Sequence, residues 1–227
     1  MIFIPVHLPN NEIIKLVIKL SKEPKLNPNM ICIIDDNSKN YKSNKIFNFL
    51  KKFGCKIIKN ETNIGKGASI KVALKFAYEN NLKFALFADG DGQHSAKDIS
   101  NMYNLGSRIN EFIIGERNFF KAPLVNKLSN YISSYLFNIK TGKKLKDTQC
   151  GLRFIPRSYF DILLKIKENN FEFELICLFK INFIDVKMIP LKIETIYFKD
   201  KKITHYKKII DTIKILNIFF KFFFKNK

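Results

Sequence analysis

The feature that most constrains the fold of this chain is a repeated unit. A short apolar run leads into a loop rich in acidic or glycine residues, and a longer segment with helical spacing follows. Ile2–Val6, Met30–Ile34, Cys55–Lys59, Phe84–Ala88 and Phe112–Gly115 read as strands. Segments 11–22, 45–53 and 65–78 read as helices between them. This alternation predicts an α/β fold with a mostly parallel central sheet and helices on both faces. Ligands of such sheets bind at the carboxyl ends of the strands. That is where the chain concentrates its acidic residues, at Asp35-Asp36 and at Asp89 and Asp91.

The second half is less regular. Segment 122–139 is amphipathic, with Val125, Leu128, Ile132, Tyr135 and Ile139 at helical spacing, and the stripe reads as a core-facing side. Leu152–Pro156 reads as a strand and Glu172–Phe183 as a helix, with two further strands at 186–189 and 193–198. The last stretch carries Tyr206, Ile209, Ile210, Ile213, Leu216, Phe220 and Phe223 on one helical face, with Lys207, Lys214 and Lys221 on another. That is the pattern of a helix lying on a membrane surface. The expected organisation is one domain over residues 1–204 and an amphipathic, membrane-associating helix over 205–227.

The chain holds 40 Lys and Arg against 20 Asp and Glu, a net charge of +20. Such a charge suits an anionic partner, either nucleic acid or a lipid surface. No helix-turn-helix, RRM or KH pattern is present, so nucleic acid is not an expected partner. All but four of the basic residues are Lys. The exceptions, Arg108, Arg117, Arg153 and Arg157, are the more informative, because a planar guanidinium fork is not interchangeable with an ammonium. The four Cys are scattered and form no CxxC pair, which argues against zinc and for a reducing compartment. Neither a leader peptide nor a membrane-crossing helix is expected, and a cytoplasmic location follows.

Three motifs carry chemistry. Asp89-Gly-Asp-Gly-Gln-His94 follows an apolar strand directly. Its two carboxylates, with Gln93 as a further oxygen, suit Mg²⁺ or Mn²⁺, which keep coordination positions for substrate phosphates. Asp35-Asp36 at the end of the second strand can accept hydrogen bonds from a ribose or base, or can cap the next helix. Asn63-Ile-Gly-Lys-Gly67 opens a helix whose free N–H groups, with Lys66, can face a phosphate.

Together with Ile4-Pro5-Val6, the segments IIDDNS (33–38), NIGKGASI (63–70) and ADGDGQH (88–94) resemble the nucleotide-sugar half of family 2 glycosyltransferases, which have the GT-A, Rossmann-like fold. Gly115-Glu-Arg117 resembles the Gly-x-Arg after the fifth strand of that family. DTQCGLRFIP (147–156) and FEFEL (171–175) resemble the acceptor half of polyprenyl-phosphate and dolichyl-phosphate sugar synthases. THYKKIIDTIKI (204–215) is similar to a segment of bacterial lipid-modifying relatives.

The resemblance implies a nucleotide-sugar-dependent, inverting transferase using Mg²⁺ or Mn²⁺. Pro5, Asp35 and Asp36 would contact the nucleoside, with Lys66 nearby. Asp89, Asp91 and Gln93 would hold the metal on the donor diphosphate, which is UDP- or GDP-linked. Arg117 and Arg153 would neutralise phosphate, and Lys207 would close over the diphosphate. The acceptor it implies is lipid-linked, foremost a polyprenyl phosphate, reached from the cytosolic face of the membrane. A phosphate acceptor needs no general base; a lipid or glycan hydroxyl does, and Asp147 and Glu174 are the candidates. The chain departs from the family's first loop, with His7 where Tyr is usual and the acidic position displaced to Glu12.

Overall fold

The computed structural model describes residues 1–119, 124–184 and 186–196, with the backbone alone at 124–126. Within them a seven-stranded sheet runs in the order β3-β2-β1-β4-β6-β5-β7. Its strands are β1 (Ile2–Val6), β2 (Ile31–Asp35), β3 (Lys56–Lys59), β4 (Phe84–Phe87), β5 (Phe112–Arg117), β6 (Arg153–Pro156) and β7 (Met188–Ile193). All neighbours are parallel except β6, which runs antiparallel to both β4 and β5. The helices are α1 (Asn11–Leu20), α2 (Tyr41–Lys52), α3 (Lys66–Glu79), α4 (Ala96–Ile109), α5 (Leu124–Thr141), α6 (Phe160–Leu164) and α7 (Glu172–Asn182).

Strand register explains why both faces are covered. β1 and β2 are almost wholly apolar and buried, as strands packed on two sides must be. Phe3 packs against Phe76 of α3 on one face of the sheet. Phe84 and Phe154 stack on the other face, where Tyr103 of α4 meets Phe84 edge-on. Helix α1 packs on α2 and α4, while α3 packs on α6 and α7.

Helix starts are set by side chains. Asn10 accepts the Glu12 amide and Asn40 the Ser43 amide, each at the N-cap of its helix. α4 begins with a reciprocal cap in which Ser95 Oγ accepts the Asp98 amide and donates to the Asp98 carboxylate.

Three expectations change. α4, with its cap signal Ser95-x-x-Asp98, is a full helix that the spacing argument passed over. The strand expected at 186–189 is the start of a longer one, β7, whose six residues pair continuously with β5 from Phe112 to Arg117; of the strand expected at 193–198, Ile193 ends β7, Thr195 makes a single bridge to His94, and 197–198 lie outside the described residues. The stripe on α5 does not face the core. Leu128, Tyr131, Ile132, Tyr135 and Ile139 are exposed, and the buried side is Asn130, Ser133, Ser134 and Phe137. The cause is local: the chain beneath α5 is polar backbone needing hydrogen-bond partners. Thr148 Oγ1 meets Ser133 Oγ at 2.8 Å, the Lys146 carbonyl accepts from Asn130, and the Leu145 backbone exchanges both its bonds with Asn138. The Lys207 expectation and the helix over 205–227 lie outside the described residues, and among those residues no helix is long and apolar enough to cross a membrane.

One contact sets how closely α4 lies on the sheet. A Cβ on Gly106 would drive into the Phe154 ring. Gly106→Val is therefore expected to destabilise the fold by about 2 kcal/mol through overpacking, read as a fall in the urea midpoint.

Candidate active site

The carboxyl end of β4 delivers Asp89 and Asp91 into a shallow, half-buried site. Lys66, the first residue of α3, reaches across from below. Its Nζ lies 2.7 Å from Asp89 Oδ1 and 3.1 Å from Glu174 Oε1, so one ammonium joins three separate motifs. Burial alone would lower the Lys66 pKa, but the two carboxylates reverse this and hold it above the ordinary lysine range. Burial would likewise raise Asp89; Lys66, His94 and Arg117 outweigh it and keep that carboxyl well below the usual range. Asp91 goes the other way. Burial, and then the negative charge of Asp89, push it up to about 6, although its Oδ1 accepts the Gln93 amide. A carboxylate pair in which the charge of one acid destabilises the charge of the other is a fitting receptor for a hard divalent cation. Two carboxylates are a partial shell that donor phosphate oxygens and water complete. Among the described residues no group of three or more His, Cys, Asp or Glu forms a fuller cage.

His94 closes the loop. Its Nδ1 accepts the Asp89 amide N–H at 3.2 Å, which leaves the proton on Nε2, 3.9 Å from Asp89 Oδ2 and 3.8 Å from Cys150 Sγ. Burial lowers its pKa to about 4, so the ring is neutral. The far side of the same loop is tied to the chain after β7: Thr195 bridges His94, and the Ile196 amide donates to the Gln93 carbonyl. His94 thus holds the Asp89 backbone in place, a role visible in the sequence only as the last letter of the motif.

Arg117 ends β5 and forms a bidentate pair with Asp147, Nε to Oδ2 at 2.6 Å and NH2 to Oδ1 at 3.0 Å. The Gln149 amide and the Arg117 amide also donate to Asp147, whose side chain is fully buried. Asp147 and Glu174, the two candidate bases, are therefore both committed to cations. Arg153 differs from expectation more sharply. It is 3% exposed, and its guanidinium donates to the carbonyls of Cys150, Glu174 and Thr148. A fork spent on three carbonyls holds the DTQCG segment against α7, so of these two arginines it is Arg117 that, with Lys66, acts on the Asp89–Asp91 loop.

At the end of β2, Asp36 is an organiser. Its carboxylate accepts from Asn60 Nδ2 and from the amides of Ile64 and Gly65, pinning the loop that presents Lys66. Asp35 accepts the Ser38 amide through Oδ1. Pro5 is half-buried beside Ile34, and His7 Nδ1 lies 2.9 Å from the Asp36 carbonyl oxygen. Glu12, in the displaced acidic position, pairs with Lys15 on its own helix. At the start of α3 one amide is already engaged, the Ala68 N–H donating to the Asn169 carbonyl.

The motif glycines mark where these segments touch. A Cβ on Gly151 would sit 2.5 Å from Asp89 Oδ2, and one on Gly67 would meet Phe173 Cβ at 2.5 Å. Gly65, at φ +91°, adopts backbone that other residues rarely tolerate.

The family model described as Glycosyl transferase family 2 matches residues 1–164, which carry β1 to β6 and all of this constellation except Glu174. The chain belongs to glycosyltransferase family 2. Among curated relatives, the UDP-N-acetylglucosamine–dolichyl-phosphate N-acetylglucosaminyltransferase of Methanococcus voltae is 31% identical over 149 residues, covering 62% of this chain and 59% of that protein. An uncharacterised Methanocaldococcus jannaschii protein is 31% identical over 137 residues, covering 56% of this chain and 60% of that protein. The chain thus spans about three fifths of these relatives' length. In structure it is similar to glucosyl-3-phosphoglycerate synthase of Mycobacterium tuberculosis, solved with Mn²⁺, UDP and glucosyl-3-phosphoglycerate. The TM-score is 0.66 at 10% identity, over 96% of this chain and 78% of the other. It is also similar to S. aureus TarS residues 1–349 bound to UDP-GlcNAc, with TM-score 0.59 and 15% identity over 100% and 66% of the two chains. The likeness establishes the GT-A fold of this family 2 chain.

The geometry makes two expectations. Gly151→Ala is expected to crowd the Asp89 carboxylate and to lower stability by about 2 kcal/mol through overpacking, read as a fall in the urea midpoint with unchanged far-UV circular dichroism. Lys66→Met and Glu174→Gln each lower stability, but the double variant loses less than their sum, with a coupling on the order of 1 kcal/mol in a urea double-mutant cycle.

Proposed function

We propose that this family 2 glycosyltransferase moves a sugar from a UDP-linked donor to a polyprenyl phosphate of the dolichyl type, with inversion at the anomeric carbon, on the cytosolic face of a membrane. The observation that carries the reading is the state of the two acids nearest the acceptor segments. Asp147 has both oxygens bound by Arg117, and Glu174 is paired with Lys66. Both acids are held in ion pairs, Asp147 through both oxygens and Glu174 through Oε1, a poor arrangement for taking a proton from a hydroxyl. A phosphate acceptor is already an anionic nucleophile and needs no base. The UDP donor and dolichyl-type acceptor are supported by the Methanococcus relative and by the donors of the structural neighbours.

In this reading the acceptor phosphate oxygen attacks the anomeric carbon as the bond from that carbon to the diphosphate breaks, and UDP departs with the electron pair. Asp89 and Asp91, with Gln93, would hold a divalent cation that, when bound, supplies positive charge to the departing diphosphate. Lys66 orients Asp89 for that task. Arg117, fixed by Asp147, presents the remaining positive charge to the phosphates. Pro5 and Asp35 flank the nucleoside position at the ends of β1 and β2.

The test is transfer from UDP-GlcNAc, with UDP-glucose and GDP-mannose as alternative donors, to a polyprenyl phosphate or to the matching free polyprenol. Product is expected with the phosphate and Mn²⁺, with none from the alcohol. EDTA or Asp91→Asn should cut the rate on the order of a hundredfold or more. Transfer to the alcohol with none to the phosphate overturns the acceptor assignment, and full activity in EDTA overturns the metal assignment.

A further inference from the structure

We propose that the outward face of α5 is a docking surface for an anionic lipid bilayer. The helix is built inside out relative to ordinary amphipathic packing. Its inner side grips the 145–149 segment through Asn130, Ser133 and Asn138. Its outer side shows Leu128, Tyr131, Tyr135 and Ile139, each more than half exposed, with Ile132 between them. Tyr131 and Tyr135 stack with their rings 6.2 Å apart, a pairing that keeps a flat aromatic surface turned outward. Phe183 and Ile184 add two more exposed apolar side chains beyond α7, and Lys143 Nζ lies 3.5 Å from the neighbouring Val186 carbonyl oxygen, so that end of the patch adjoins the end of α5. An exposed apolar row of this size on one helix marks an interaction surface.

The charge around the row selects the occupant. Residues 118–146 contain no Asp or Glu, while Lys127, Lys140, Lys143, Lys144 and Lys146 border the helix, with Lys144 and Lys146 exposed. A second copy of this +20 chain would bring the same lysines face to face. Anionic headgroups over acyl chains satisfy both the apolar row and its cationic border, which is how helices with tyrosine and lysine lie in a membrane interface. Docked in this way, the inner side of α5 holds Asp147, and through it Arg117, about one helix diameter from the headgroups.

The chain has no Trp, which makes a clean probe available. Tyr131→Trp and Tyr135→Trp are made in the full chain, with Tyr41→Trp on α2 as an exposed control away from the face. Each is mixed with vesicles of phosphatidylcholine alone or of equal parts phosphatidylcholine and phosphatidylglycerol, with and without brominated acyl chains. The vesicles contain no polyprenyl phosphate and no donor is added, so the outcome is independent of the transferase reading. The expected result is a blue shift and bromine quenching of the Tyr131→Trp and Tyr135→Trp emission on the anionic vesicles only, with Tyr41→Trp unchanged. Adding Ile132→Asp to either probe variant should weaken vesicle binding about tenfold. Emission from the α5 probes that is already blue without lipid and indifferent to it would mean that protein covers the face, either a second copy or segment 205–227, and overturns the proposal. Vesicle binding without quenching at α5, or no binding at all, overturns it as well.

Discussion

The ammonium of Lys66 is the point on which the site depends. It stands between Asp89 from β4 and Glu174 from α7, two carboxylates that would repel each other across the cleft without it. Everything that presents Lys66 is in turn fixed: Asp36 gathers the loop before α3, Asn169 takes the Ala68 amide, and Gly67 lets Phe173 lie against the helix start. A partly buried triad of this kind contributes less to stability than its Coulomb attraction suggests, because desolvation offsets much of it. Its value is geometric. It gives Asp89 one orientation, and among the described residues it leaves Asp91 as the carboxylate of the pair without an ion pair within 4 Å, acted on by Lys66 and Arg117 only from farther off.

Arg117 and Arg153 show how two arginines in neighbouring motifs diverge. Arg117 ends β5, where Asp147 engages its fork and the guanidinium lies 5.1 Å from the centre of the Phe119 ring. Arg153 begins β6, the strand enclosed between β4 and β5, so its donors meet backbone carbonyls before they can meet a ligand. The sequence offers the same residue type in both places; burial decides which one keeps part of its side chain exposed.

Much of the fold is legible in the sequence because strand and helix periods differ. β1 is bounded as its apolar run is, and β2 to β5 lie within a residue or two of theirs. Legibility fails where tertiary contacts replace local pattern. The antiparallel insertion of β6 between β4 and β5 leaves no trace in a list of apolar runs. The face of α5 was misread because apolar periodicity reports which residues share a side, and says nothing about whether that side meets protein or something else. At the site, the acidic pairs were visible as letters. The commitments of Asp36, Asp147 and Arg153 were not, since each is satisfied by amides or carbonyls, which every residue possesses.

The position of β6 also bears on how the chain is made. β4 has β1 on one side, and its other edge is closed only by residues 153–156. A nascent chain that has emerged as far as β5 therefore carries a four-stranded parallel half with an unprotected edge. β5 cannot fill that gap, because its neighbours are β6 and β7. Unpaired edges are where chains join the wrong partner. Synthesis of this protein thus passes through an interval, from β4 until Pro156 has emerged, in which its donor-side half is assembled yet open to mispairing.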